Sequence, residues 1–368
     1  MNEIASLRLA WMAPDSVTIA QKRADSARRR FKASPASRLK MWGQLASLLK
    51  RFDLPTALTI IMEGHSEEGR RRNNLIAMTA ETWIPLIRSP QPFADVINGF
   101  VSERERLIIA VAQNKTNLAE IMARLHHSEA LMHEVKARWR STLRDPLGLI
   151  VMSWIILIGY ADLILWQLAQ LPDKPRGYAL EAQHFCQWLF YQASWQAPLA
   201  LILIGFAISY LLAHWLSPRR VLADSFWPFS LYKSINAADF LLALGILQSA
   251  GEDMPASLRA ISTVAGPYLQ WQISAIEPIL RTKSIGDAVR KSGRRFPDSQ
   301  INALLDIYSR DDGRNFPSHL ARIGEEFSAE LRQRMETARK NTNFLALSIA
   351  GLLQVLITGL MVAISLPT

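Results

Sequence analysis

From Leu147 to Leu171 the chain carries one charged residue, Asp162, in 25 positions, and from Ala197 to Leu216 it carries none. A third run without charge extends from Phe344 to Leu366. A helix of about 20 mostly apolar residues crosses a hydrocarbon core about 30 Å thick, and each run is long enough. The first two, joined by a loop over 172–195, read as a membrane hairpin, so three transmembrane helices are expected, at 146–171, 196–216 and 343–366. Whatever else the chain folds into must be attached to them.

Positive charge gives the orientation, because Lys and Arg are retained on the cytoplasmic side. Lys136, Arg138, Arg140 and Arg144 precede the first run, Arg219 and Arg220 follow the second, and Arg332, Arg334, Arg339 and Lys340 precede the third. The loop has Lys174 and Arg176, and nothing basic follows the last run. Both polar stretches are therefore expected in the cytoplasm, with the loop and the C-terminus outside. Residues 1–145 hold 23 Lys+Arg against 15 Asp+Glu, and residues 217–342 hold 17 against 14. That balance suits domains beside anionic lipid. No nucleic-acid reading motif accompanies it, so no nucleic-acid partner is expected. A single cysteine, Cys186, excludes an intramolecular disulfide and a cysteine-based metal cluster. Residues 1–25 lack an apolar core before a small-residue cleavage site, and no secretory signal peptide is expected there.

The polar stretches read as helices. After a basic lead (1–36, polar and irregular, with Arg28, Arg29, Arg30 and Lys32), Leu39, Trp42, Leu45, Leu48 and Leu49 recur at three- and four-residue spacing. Asp53 stands where a cap would precede a helix with Pro55 in its first turn. Helical patterns follow at Asn74–Leu86, Phe93–Phe100, Glu103–Gln113 and Leu118–Arg138, about six short helices over 37–145. The last runs almost without a break into the first apolar run. Residues 217–342 again read as short amphipathic helices. Trp188, Phe190, Tyr191 and Trp195 suit a membrane–water interface. In the third run Ala346/Ala350 and Gly359/Ala363 are small-xxx-small pairs, fit either for dimerisation or for packing within the chain.

The two halves resemble each other. Asp53-Leu54-Pro55-Thr56-Ala57-Leu58 lines up with Asp253-Met254-Pro255-Ala256-Ser257-Leu258 at an offset of 200, and Ala94-Asp95-Val96-Ile97 with Gly286-Asp287-Ala288-Val289. Leu118–Leu125 lines up with Phe316–Ile323 at an offset of 198, which also carries Leu147 onto Leu345. The expectation is an all-α membrane protein with two repeated cytoplasmic helical bundles, each ending in a span, and a return span between.

That architecture resembles the inner-membrane platform proteins of type IV pilus and type II secretion machines, over roughly residues 40–366. Of the family's leucine-rich repeat opening, the second copy keeps Leu241, Leu242, Leu244, Gly251, Met254 and Leu258. The first keeps Leu45, Leu48, Leu49, Leu54 and Leu58, with Arg51 in place of the glycine. The short lead and the altered segments Asn114–Leu118 and Asp311–Phe316 look more like the type IVb pilus branch. The resemblance implies a scaffold, not an enzyme. It would couple a cytoplasmic hexameric assembly ATPase to the extraction and polymerisation of pilin or pseudopilin subunits. Other inner-membrane assembly proteins and membrane lipids would be its further partners, and the chain itself would be a dimer or tetramer.

No constellation of residues points to catalysis. His126-His127 and His65 with Glu67-Glu68 lack metal-ligand spacing, Asp311-Asp312-Gly313 lacks the later ligands of a calcium loop, and no phosphate-cradling loop is present. No metal or cofactor is expected. Asp162 is the one carboxylate in an apolar run, which suggests reach to the interface, a polar contact with another span, or proton handling in an ion-coupled transporter or stator-like protein. The basic runs Arg70, Arg71, Arg72 and Arg290, Lys291, Arg294, Arg295 are solvated faces or contacts to partners, since charge patterns set partner choice.

Overall fold

The computed structural model describes residues 21–67, 70, 73–89, 91–113, 118–170, 178–310 and 315–365. Among these residues the protein is all-helical. Residues 21–33 form α1, followed by α2 (Pro35–Leu48), α3 (Leu54–Ser66), α4 (Leu75–Ile87), α5 (Phe93–Val96), α6 (Glu103–Ala112) and the 52-residue α7 (Leu118–Ala169). Next come α8 (Tyr178–Gln187), a π-helical turn over Trp188–Ala193, α9 (Ser194–His214) and α10 (Arg220–Ala223). The second series is α11 (Phe229–Ser249), α12 (Met254–Val264), α13 (Pro267–Leu280), α14 (Ile285–Lys291), α15 (Ser299–Arg310) and the 50-residue α16 (Phe316–Ser365).

Local chemistry accounts for the starts. The Ser34 hydroxyl accepts from the Ser37 N–H, with Pro35 at the first position of α2. Asn74 caps α4 in the same way. Asp53 has the extended backbone of a cap before α3, but its carboxylate makes no capping bond. Ser102 and Glu105 close a capping box on α6.

The lead expected to be irregular is helical over 21–33, because Ala27 and Phe31 share a face buried in the first core. Arg28, Arg29 and Arg30 lie on its exposed side. Trp83 is the centre of that core. It stacks on Trp42 at 6.2 Å and meets the rings of Phe31, Phe93 and Phe100 edge-on at 5.6 to 5.8 Å. Each such ring pair contributes about 0.5–1.5 kcal/mol beyond area burial.

The two cores interlock. Met132 and Val135 of α7 are buried in the second core, and Ile246 of α11 and Ala250 just after it in the first. α11 departs from the expected short amphipathic pattern. Its residues Phe240 to Leu247 are buried without a break, because it is the central helix of its bundle, with α7, α12 and α16 packed around it. Small residues allow that closeness: a Cβ on Gly245 would meet the backbone of Ala321 at 3.1 Å.

Among the described residues four helical stretches are long and apolar enough to cross a membrane. In three of them, on α7, α8–α9 and α16, only 6–17% of the apolar window is buried in the protein, whereas in α11 67% is. α7 and α16 lie side by side. Neither breaks at the edge of its apolar stretch. Pro146 lies inside α7, where it removes one backbone hydrogen bond. The 172–195 loop is helical from Tyr178, because Cys186, Leu189 and Ala193 form an apolar face. They pack with Leu157, Ala161, Ile164 and Leu168 of α7 and Ile357 of α16. Ala346 is buried and Ala350 half-buried, so that small pair packs within the chain, whereas Gly359 faces open space.

Candidate functional site

The features most worth a functional reading are the joints that tie bundles to apolar helices. The first is a buried charge cluster between the two halves. Arg104 on α6 donates from Nη1 to Glu129 Oε1 on α7 at 2.7 Å and lies 2.9 Å from Asp239 Oδ1 on α11. Burial opposes its charge, but the carboxylates of Asp239, Glu129 and Glu105 outweigh that and raise its pKa. Glu105, 2% exposed, accepts from Arg38 Nε at 3.1 Å. Burial and then the charge of Glu129 push its pKa up, with Arg38 pulling against them. His133, Lys136 and Arg140 join this group around a cavity of about 110 Å³ between α2 and α7.

The second joint fastens α9 to the second bundle. Arg220 is fully buried. Its Nε donates to Asp224 Oδ1 at 2.7 Å, and Nη1 and Nη2 donate to the carbonyls of Leu211 and Leu212 at 2.9 and 3.3 Å. Those carbonyls belong to the last turn of α9, where helix carbonyls run short of intrahelical N–H donors and a cation is favoured. The guanidinium carbon lies 4.5 Å from the Phe229 ring centre and 5.0 Å from that of Tyr268. The Tyr268 hydroxyl donates to Asp224 Oδ2 at 2.7 Å and accepts from Gln272 Nε2 at 2.9 Å. Burial, then the Asp224 charge, raise the Tyr268 pKa far above the ordinary phenol value. The end of α9, α11 and α13 are thus held at one buried ion pair.

The third joint runs between α7 and α16. Glu134 pairs with Arg332, Arg138 with Glu336 at 3.5 Å, and Asp145 with Arg339 at 3.1 Å. Lower down, His127 Nε2 lies 3.2 Å from Glu325.

The residues singled out in the sequence fall elsewhere. Asp162 is exposed on α7, beside the face formed by Leu157, Ala161, Ile164 and Leu168. Arg70 is exposed in the turn after α3, bonded through its N–H to the Glu67 carbonyl, and Arg71 and Arg72 lie outside the described residues. Arg290, Lys291, Arg294 and Arg295 come together at the end of α14. Arg290 pairs with Asp287 at 2.7 Å, and Arg294 sits 4.0 Å over the Trp271 ring, where burial lowers its pKa. A hydrogen bond with Lys283, and then that ammonium's charge, lower the pKa of Lys291.

The histidines are taken up by packing. His126 bonds the Leu39 carbonyl through Nδ1 at 2.9 Å, its ring against Gly43, while neighbouring His127 turns to α16. His65 bonds Gln44, and burial, then Lys40, lower its pKa. Among the described residues no group of three or more His, Cys, Asp or Glu could hold a metal ion.

Arg104, Glu105 and Arg220 escaped the sequence reading. The available signals were the Ser102-x-x-Glu105 capping box and the four-residue spacing of Arg220 and Asp224. Neither tells that the charge is buried.

No family model matches the chain. Over 271 residues it is 18% identical to the toxin coregulated pilus biosynthesis protein E of Vibrio cholerae serotype O1, a match covering 72% of this chain and 78% of that protein.

Proposed function

We propose that this chain is a non-enzymatic platform protein of the bacterial inner membrane. In this reading it passes the movement of a cytoplasmic assembly ATPase to pilin subunits leaving the bilayer during type IV pilus assembly. The observation that carries it is the continuity of α7 and α16, each running unbroken from a polar bundle into an apolar stretch. A displacement of either bundle is transmitted along a stiff helix about 75 Å long. Likeness to a protein named for pilus biosynthesis supports the same reading.

The chain is read as a duplication with a return span. The series α2–α7 and α11–α16 have the same order, each closing on a helix of 50 residues or more. The pairs Glu134–Arg332 and Arg138–Glu336 join residues 198 apart, the offset at which the halves align. In this reading α11, with 67% of its apolar window buried in the protein, stays in its bundle and the other three stretches are the spans. The basic flanks then put both bundles in the cytoplasm.

Deletion of the gene in its host tests the role. Surface pili should disappear while pilin is still made and processed; normal piliation would overturn the proposal. Topology reporters at Pro172 and Thr368 should read periplasmic and one at Ala223 cytoplasmic.

A further inference from the structure

We infer that the charge ladder between α7 and α16 sets the axial register of these two helices, so that their apolar ends travel as one body. The rungs are His127–Glu325, Glu134–Arg332, Arg138–Glu336 and Asp145–Arg339. Arg339 also bonds Glu336 within α16 at 2.8 Å, so the upper two rungs form one network. Three of the four join residues 198 apart, and the fourth 194.

Apolar packing around the ladder holds the helices together without choosing their register. Met132, Val135, Leu331 and Met335 are fully buried, and apolar side chains of similar size exchange partners at little penalty. Charge does choose. On each helix the sign alternates at four-residue spacing: Glu134 then Arg138 on α7, Arg332 then Glu336 on α16. Raise the α16 partner by four residues, and Glu134 faces Glu336 while Arg138 faces Lys340. Lower it by four, and Arg138 faces Arg332. A slip of one turn in either direction therefore loses attractive rungs and creates like-charge contacts, which is how charge patterns specify one alignment over another. The register stands on this geometry alone. Its consequence for pilus assembly rests on the platform role proposed above.

Cross-linking in membranes from cells making the full chain tests it, in a Cys186→Ala background. The pair His127→Cys with Glu325→Cys reports the observed register, and His127→Cys with Ala329→Cys reports a slip of one turn. Adding Glu134→Arg places Arg against Arg332 but lets it meet Glu336 after a slip. The in-register cross-link should fall at least threefold and the slipped one rise. Glu134→Arg with Arg332→Glu should restore the original pattern. An unchanged pattern in Glu134→Arg, or a loss that the double reversal does not restore, overturns the inference. A restored pattern in cells that still lack pili would instead count against the platform role.

Discussion

Glu134 and Arg332, 198 residues apart in sequence, face each other across the two longest helices of the molecule. The same separation joins Arg138 to Glu336, so α7 and α16 run parallel with corresponding residues side by side. Each pair is half-exposed and worth little alone, about 0.2–1 kcal/mol. Their alternation is what makes them specific.

The ladder should loosen in acid. The hydrogen bond from Arg339, together with the charges of Arg339, Lys340 and Arg138, holds the Glu336 carboxyl below its ordinary pKa of 4.5 against partial desolvation. A carboxylate with a depressed folded pKa contributes stability that is present above the unfolded value and lost as the pH falls through the folded one. The melting temperature of Glu336→Gln should therefore lie below wild type at pH 7 and converge on it below pH 4.5.

Arg38→Met should uncover the opposite dependence. It strands Glu105, 2% exposed, and breaking one partner of such a buried pair costs about 3–5 kcal/mol. The folded pKa of Glu105 is already raised, so its favourable contribution lies below the unfolded value and is lost as the pH rises through the folded one. The deficit against wild type, measured by thermal unfolding in detergent, should shrink between pH 8 and pH 5. Adding Glu105→Gln should recover part of it.

Arg220→Met should release α9 from the second bundle. It removes the donors to Leu211 and Leu212 and leaves Asp224 buried without its cation, at a cost of about 3–5 kcal/mol. Trypsin cleavage after the exposed Arg219 should accelerate. An unchanged cleavage rate would mean that packing alone holds the joint.

Two glycines should respond oppositely to alanine. At Gly286 a Cβ would lie 2.2 Å from the Asp306 Cα, so Gly286→Ala must push α14 from α15 and should cost about 1–3 kcal/mol. At Gly64, inside α3, a Cβ meets nothing within 4 Å, and Gly64→Ala should gain about 0.5–1 kcal/mol through helix propensity.

Short-range pattern carried much of this fold. The spacing of Trp42 and Leu45 marks their buried face on α2, and the apolar runs mark the exposed ends of α7 and α16. What escaped is tertiary. Phe31 lies in a polar stretch, and its burial with Ala27 in the core around Trp83 is what makes its helix part of the bundle. Cys186, Leu189 and Ala193 form a face only because α7 passes beside them. An arginine run such as the one at Arg290 is conspicuous in sequence, whereas a lone buried charge is not. Glu105 and Arg220 are single residues whose weight comes from burial.

The depth of α11 bears on how the chain is made. As an isolated segment it has the length and composition of a membrane helix, and it leaves the ribosome after α9 and the short α10. Its main cover, α16, is synthesised last. Until then the segment presents Leu241 to Leu247 bare to the insertion machinery, with only the helices already translated, chiefly α7, to hold it in water. Burial of α11 thus rests on helices from both sides of it in sequence, α7 made before it and α16 after.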